Sequence, residues 1–262
     1  MGKYVPWHHL GRVGPALPIL TERFSTFRQF GEAGIDEILG NKAPLARQWQ
    51  VNWLDTTLFL NRGDHFEVRP LPMEAQLAPA FALCVADLDN DGHDDLFLSQ
   101  NFFATEPETG RYDAGRGLWL LGDGRGNFHP LTAAESGVRI YGEQRGAAVV
   151  DFDHDGRVDL CVSQNGAAVR LFRNTGAIPG VRLRLHGPPG NPLGIGAQVR
   201  CSHCPAAKEL HAGSGYWSQD SATLVIPRPP GPSQITIRWP GGRVTTKQIE
   251  PGDSEVVEDP KP

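Results

Sequence analysis

The sequence predicts a mainly β chain: a short helical N-terminal segment, then partial β-propeller-type blades built on a repeated acidic loop, then a small C-terminal β domain. Three observations predict it. Apolar residues come in short runs between turn residues, the pattern of buried strands rather than long helices. Gly 31 and Pro 22 break up the chain throughout. Finally, Asp87-Leu88-Asp89-Asn90-Asp91-Gly92-His93-Asp94-Asp95-Leu96 returns 64 residues later as Asp151-Phe152-Asp153-His154-Asp155-Gly156-Arg157-Val158-Asp159-Leu160.

The segments divide at 1–56, 57–176, 177–256 and a tail, 257–262. In the lead-in, Thr21 caps a helix that places Phe24, Phe27 and Phe30 near one face and stops at Gly31. A second helix spans 32–39 and stops at Gly40. Residues 43–54 form a third helix or an irregular lead-in, and Trp49 and Trp53 read as packing residues. From residue 58 the pattern becomes strand and turn. A hairpin at 58–66 has relatives at 118–128 and 169–176, each following an acidic loop. Ser99-Gln100-Asn101 and Ser163-Gln164-Asn165 extend the repeat beyond the loops. The extra length of the first unit falls in a polar loop, 104–110. A period of this size with about four strands is the signature of propeller blades. Beyond residue 177 the acidic loop does not recur, and alternating runs at 181–185, 222–226 and 235–239 read as half-buried strands, with a hairpin turn at 239–244.

Both acidic loops read D-x-D-x-D-G-x-x-D. Carboxylates at positions 1, 3, 5 and 9 converge if the backbone turns sharply, and the glycine at 6 permits that turn. Position 7, His93 or Arg157, offers its backbone carbonyl. The expected ligands are therefore Asp87, Asp89, Asp91, His93 and Asp95 in one loop and Asp151, Asp153, Asp155, Arg157 and Asp159 in the other. Such an all-oxygen cage favours Ca²⁺, one ion per loop. Two carboxylates about 4 Å apart repel by roughly 4 kcal/mol at an effective dielectric near 20, and each loop gathers four. An EF-hand is excluded, because position 12 is Leu98 or Val162 rather than Glu.

The net charge of −5 is more than accounted for by these eight aspartates, so neither a nucleic-acid footprint nor an acidic tail is present. No apolar run is long enough to span a membrane, and the opening residues have no signal-peptide h-region. Of four cysteines, Cys84 and Cys161 lie in strand runs as small hydrophobes. Cys201-Ser202-His203-Cys204 leaves three readings open: zinc, which needs two further ligands where only His203 and His211 are near, a local disulfide, or two free thiols.

The two loops with their flanking strands resemble FG-GAP or VCBS-type repeats, although Phe81-Ala82 stands where that family's name-giving Phe-Gly would be. The stretches Asn191-Pro192-Leu193-Gly194-Ile195-Gly196-Ala197, Gly213-Ser214-Gly215-Tyr216-Trp217-Ser218-Gln219-Asp220 and Arg238-Trp239-Pro240-Gly241-Gly242-Arg243 resemble the ASPIC and UnbV domain that closes cartilage acidic protein-like chains. The resemblance implies calcium binding, an extracellular or periplasmic location and no known reaction. It also implies that further blades precede these, making the chain the C-terminal part of a longer propeller, or else that residues 15–54 cover an open blade edge through which copies otherwise self-associate.

The expected function is a non-catalytic, calcium-stabilised binding or adhesion module for a protein or glycan. The alternative is a carbohydrate-active enzyme or its glycan-binding accessory domain. No G-x-S-x-G or H-E-x-x-H supports the enzyme. Its best candidate site is Tyr216, Trp217, Gln219 and Asp220, otherwise a turn around a core aromatic.

Overall fold

A computed structural model describes residues 3–106 and 109–258. Pro107 and Glu108 of the polar loop and residues 259–262 of the tail lie outside them. The chain forms two compact units, Met1–Leu54 and Asp55–Pro262.

The first unit holds four short helices, α1 (Leu10–Val13), α2 (Ile19–Arg23), α3 (Phe27–Glu32) and α4 (Ile35–Leu39), then a 3₁₀ segment, Gly40–Leu45. Leu10, Leu20, Phe30, Ala33 and Ile38 form its core. The helix expected from Thr21 to Gly31 is two helices. Thr26 starts the second, its hydroxyl accepting from the Gln29 N–H, and α3 runs through Gly31. Phe27 is exposed, whereas Phe24 meets Phe30 edge to face. Gly40 ends α4 as expected, at φ 55. Residues 46–54 are irregular, and Trp49 is 86% exposed rather than packed.

The second unit is mainly β. A hairpin, β1 (Thr57–Asn61) with β2 (Phe66–Pro70), precedes a four-stranded antiparallel sheet of β3 (Ala80–Ala86), β4 (Asp95–Gln100), β5 (Leu118–Gly122) and β6 (Phe128–Pro130). A three-stranded sheet follows: β7 (Glu143–Val150), β8 (Asp159–Asn165) and β9 (Ala167–Phe172). Both sheets bulge at the same place, between Ala80 and Leu83 and between Gln144 and Ala147. The hairpin expected at 169–176 does not form, because among the described residues β9 pairs only with β8 and the chain then leaves for another sheet.

Ala82, Cys84, Phe97 and Trp119 of the first sheet share a core with Ala147, Leu160 and Val162 of the second. On the other face of the first sheet, Leu96, Leu98, Leu118 and Leu120 pack with Leu71 and Ala75. Every residue of β4 is therefore buried, which explains its unbroken apolar run. Among the described residues the second sheet has no such outer cover: Val169 and Leu171 on β9 are exposed.

The C-terminal region carries β10 (Val181–Leu185), β11 (Gln198–Cys201), β12 (Lys208–Glu209), β13 (Leu224–Ile226), β14 (Ser233–Arg238), β15 (Val244–Ile249) and β16 (Glu255–Glu258). They form two sheets, ordered β13-β10-β16 and β12-β11-β14-β15. One core joins the sheets, with Val181, Leu183 and Ile226 from the first and Val199, Ile235, Ile237 and Ile249 from the second. The β14–β15 turn is the expected hairpin, closed by the Trp239 N–H on the Arg243 carbonyl. Among the described residues no helix is long and apolar enough to cross a membrane.

Phe97 is fully buried between the sheet of β3–β6 and the sheet of β7–β9. Phe97→Ala is expected to cost about 3–5 kcal/mol in chemical denaturation, and a loss below about 1 kcal/mol would mean that the sheets do not share this core.

Candidate metal centre

Each acidic loop joins two antiparallel strands, β3 to β4 and β7 to β8, so its first and last aspartates sit side by side at the strand ends. Asp87 and Asp95 are 2% and 1% exposed, and Asp151 and Asp159 are buried too. The two loops use their carboxylates in the same way. Asp87 accepts from the N–H groups of Asp91 and Gly92 at 3.1 and 2.9 Å. Asp151 accepts from Asp155 and Gly156 at 3.0 and 3.1 Å. Asp95 takes the Leu88 and Gly122 N–H groups at 2.7 and 2.8 Å, and Asp159 takes those of Phe152 and Asn174 at 3.1 and 2.7 Å. The turn needs left-handed backbone at position 6, Gly92 and Gly156, but also at position 4, Asn90 (φ 61) and His154 (φ 64). Asn and His are among the side chains that best tolerate such φ values. That choice of residue was a legible signal at a position the sequence reading did not use.

One carboxylate oxygen each from Asp87, Asp89 and Asp95 lies within 4.8 Å of the others, and Asp151, Asp153 and Asp159 repeat the arrangement. Asp91 and Asp155 stand outside these groups. Their carboxylates accept from the His93 and Arg157 N–H groups at 2.8 and 3.0 Å. At position 7 the side chains differ. Arg157 pairs with Asp155 at 2.8 Å, whereas the His93 Nδ1 is buried without a hydrogen-bond partner.

The electrostatics of the two loops also differ. In the second, Arg173 pairs with both Asp153 and Asp155, and Arg182 Nε from β10 lies 2.8 Å from Asp151. In the first, Lys208 pairs with Asp94, which is outside the converging group. Burial pushes the Asp87 carboxyl up to about 6 and the Asp95 carboxyl up to about 7, with repulsion from Asp89 adding to both. Burial also raises Asp159. The donors are all hard oxygens, and the first group holds charge that burial penalises and that no side-chain cation among the described residues pairs directly. A divalent oxygen-seeking ion fits that set.

The segment 174–180 ties the loops together. Asn174 Nδ2 donates to the Leu88 carbonyl at 2.8 Å and the Val158 carbonyl at 3.2 Å. Asn90 Nδ2 donates to the Ile178 carbonyl at 2.5 Å, and the Gly180 N–H reaches the Gly156 carbonyl at 2.7 Å. A Cβ on Gly180 would collide with the Ile226 carbonyl of β13.

The second candidate group, Tyr216, Trp217, Gln219 and Asp220, separates into two roles. Asp220 accepts from the Val149 N–H at 2.8 Å, and the Ser221 N–H donates to the Val149 carbonyl at 3.0 Å. This segment therefore clasps the edge of β7 opposite β8. Gln219 accepts from the Gly213 N–H. Trp217 instead is 93% exposed, at φ 50, with its ring stacked on Tyr216 at 6.0 Å. Beside it, a cleft of about 590 Å³ lies between Leu83 and Val85 of β3 and Leu210, Tyr216 and Leu224 of the C-terminal region. Asp87 and Asp151 reach the same cleft.

Residues 187–259 match the family model described as ASPIC and UnbV, a span that contains all three stretches singled out by the sequence. No curated protein matches the chain.

Because the folded state favours protonated Asp87 and Asp95, their contribution to stability is complete below the unfolded aspartate value near 4. It is lost as pH rises through about 6 to 7. In a metal chelator, the melting temperature of the wild type should therefore fall from pH 4 to pH 7.5 more steeply than that of Asp95→Asn. Equal slopes would remove the buried-charge account.

Proposed function

We propose that the chain is a calcium-stabilised, non-catalytic binding module that works outside the cytoplasm, its ions structural rather than reactive. The observation that carries this reading is the duplicated convergence of Asp87, Asp89 and Asp95 and of Asp151, Asp153 and Asp159. Two acidic turns arising by chance would not share five matching main-chain hydrogen bonds each. Asp91 and Asp155, with the backbone carbonyls of His93 and Arg157, complete the oxygen set. The ion would supply positive charge where buried carboxylates now repel. The likeness of the loops to FG-GAP repeats supports the same reading, and with it the extracellular or periplasmic location. The cleft beside Tyr216 is where a protein or glycan ligand would sit. The apolar, exposed β9 offers a second surface, for self-association along an edge that pairs with no other strand among the described residues.

A second reading, a glycan-binding accessory domain, is favoured by one observation. Trp217 holds a bare, stacked aromatic face at a backbone angle that ordinary residues avoid. Trp217→Ala should abolish binding on a glycan array while leaving the melting temperature unchanged. An array with no hits for the wild type would remove this reading.

Calcium at about a hundred times its dissociation constant should stabilise the fold by about 2.7 kcal/mol per site, on the order of 5–10 °C in melting temperature. Asp87→Asn and Asp95→Asn should each remove one site from a calorimetric titration. A wild-type melting curve indifferent to both calcium and EGTA would eliminate the proposal. Because Arg173 already engages Asp153 and Asp155, the second loop should be the weaker site. Arg173→Ala should tighten it, and an unchanged or weakened second site would show that Arg173 does not compete.

A further inference from the structure

A second cluster, chemically unlike the acidic loops, closes β11. Cys201, its last residue, is buried, and the chain turns at once so that the Cys204 N–H meets the Cys201 carbonyl at 3.3 Å. The turn is anchored to β14 by the Ser202 N–H on the Gln234 carbonyl at 2.9 Å. It brings one ligand atom each from Cys201, His203 and Cys204 within 4.8 Å of one another. The cysteines are not joined by a disulfide.

The imidazole decides how this cluster reads. His203 Nε2 lies 2.9 Å from the Pro227 carbonyl, an acceptor only, so Nε2 carries the hydrogen and a neutral ring leaves Nδ1 as a bare lone pair. That Nδ1 is buried and has no hydrogen-bond partner. A buried acceptor left without a partner loses its hydration and gains nothing in return. A disulfide between Cys201 and Cys204 would leave it orphaned. A metal ion satisfies it together with both sulfurs, and the Nε2–H on a backbone carbonyl is the arrangement that orients metal-binding histidines.

We propose that Cys201 Sγ, Cys204 Sγ and His203 Nδ1 form a zinc site, with the fourth position left to water or an added ligand. Two thiolates and an imidazole are the soft and borderline donors that Zn²⁺ prefers and Ca²⁺ does not. Zn–S bonds of about 2.3 Å and Zn–N bonds of about 2.0 Å in a tetrahedron need ligand separations of roughly 3.5–3.8 Å, within the observed limit. Binding exchanges one thiol proton per cysteine for the metal and involves no redox step. The site borders the first acidic loop: a Cβ on Gly92 would lie 3.5 Å from Pro205 and 4.0 Å from Pro227, whose carbonyl holds His203. The two metals need not depend on each other, because their donor sets do not overlap.

The test uses the full chain, reduced, stripped of metal, and held in excess calcium so that the acidic loops are saturated. One equivalent of Co²⁺ should produce a thiolate-to-cobalt charge-transfer band with tetrahedral visible absorption, and one equivalent of Zn²⁺ should abolish both. In competition with a chromogenic chelator, Cys204→Ser should weaken Zn²⁺ binding at least a hundredfold and His203→Gln at least tenfold, with melting curves recorded for each variant. Absence of the thiolate band in the wild type, which needs no variant to fold, would overturn the proposal. So would a band of undiminished intensity in Cys204→Ser at one equivalent of Co²⁺, or cysteines that oxidise to a disulfide as fast with zinc as without it.

Discussion

The sheets of β3–β6 and β7–β9 depend on burying a pair of carboxylates where β3 turns into β4 and where β7 turns into β8. Asp87 with Asp95, and Asp151 with Asp159, each take two main-chain N–H groups. Each pair therefore fixes the loop and the far end of the third strand together. Satisfying those N–H groups is favourable, but concentrating negative charge beside them is not. The fold answers the conflict differently in its two copies. Arg173 and Arg182 approach the second loop, whereas Lys208 reaches only Asp94 beside the first. The same hydrogen-bond geometry thus leaves one acidic group largely matched by arginine and the other short of positive charge.

Much of that compensation comes from the C-terminal region. Arg182 on β10 and Lys208 on β12 each extend to one loop, and the 220–221 segment bonds to the edge of β7. The Gly213 to Asp220 stretch, which suggested a binding site, mostly does the work of an edge cover. An exposed β-strand edge is a pairing hazard, and here part of one is occupied by the next region of the same chain. What remains free of that duty is Trp217, held outward over Tyr216, and the cleft beside it.

The proposed metal sites divide along donor chemistry. The acidic loops offer only oxygen, and the Cys201–Cys204 turn offers sulfur and one nitrogen. Hard and soft ions would therefore sort themselves without competing. Both kinds of site lie at turns tied to neighbouring elements, so each ion would lock tertiary packing rather than a local loop alone.

The repeated loop, the strand runs flanking it and the β14–β15 hairpin were legible in the residues because each rests on contacts within about ten positions. Carboxylate spacing, a glycine at positive φ and alternation on a pleated strand are local constraints. The ASPIC and UnbV likeness was legible for a related reason, since its three stretches are short and ordered. Other features depend on partners remote in the chain. Asn174 reaches Leu88 and Arg182 reaches Asp151, and no periodicity announces either contact. Helix ends in the first unit shifted because helices of four to six residues take their limits from caps and packing rather than from propensity. Asp220 could be read as a ligand or as a strut until Val149 was found beside it. Chain-local chemistry named which side chains were available for a site, and packing across the fold selected which of them were already spoken for.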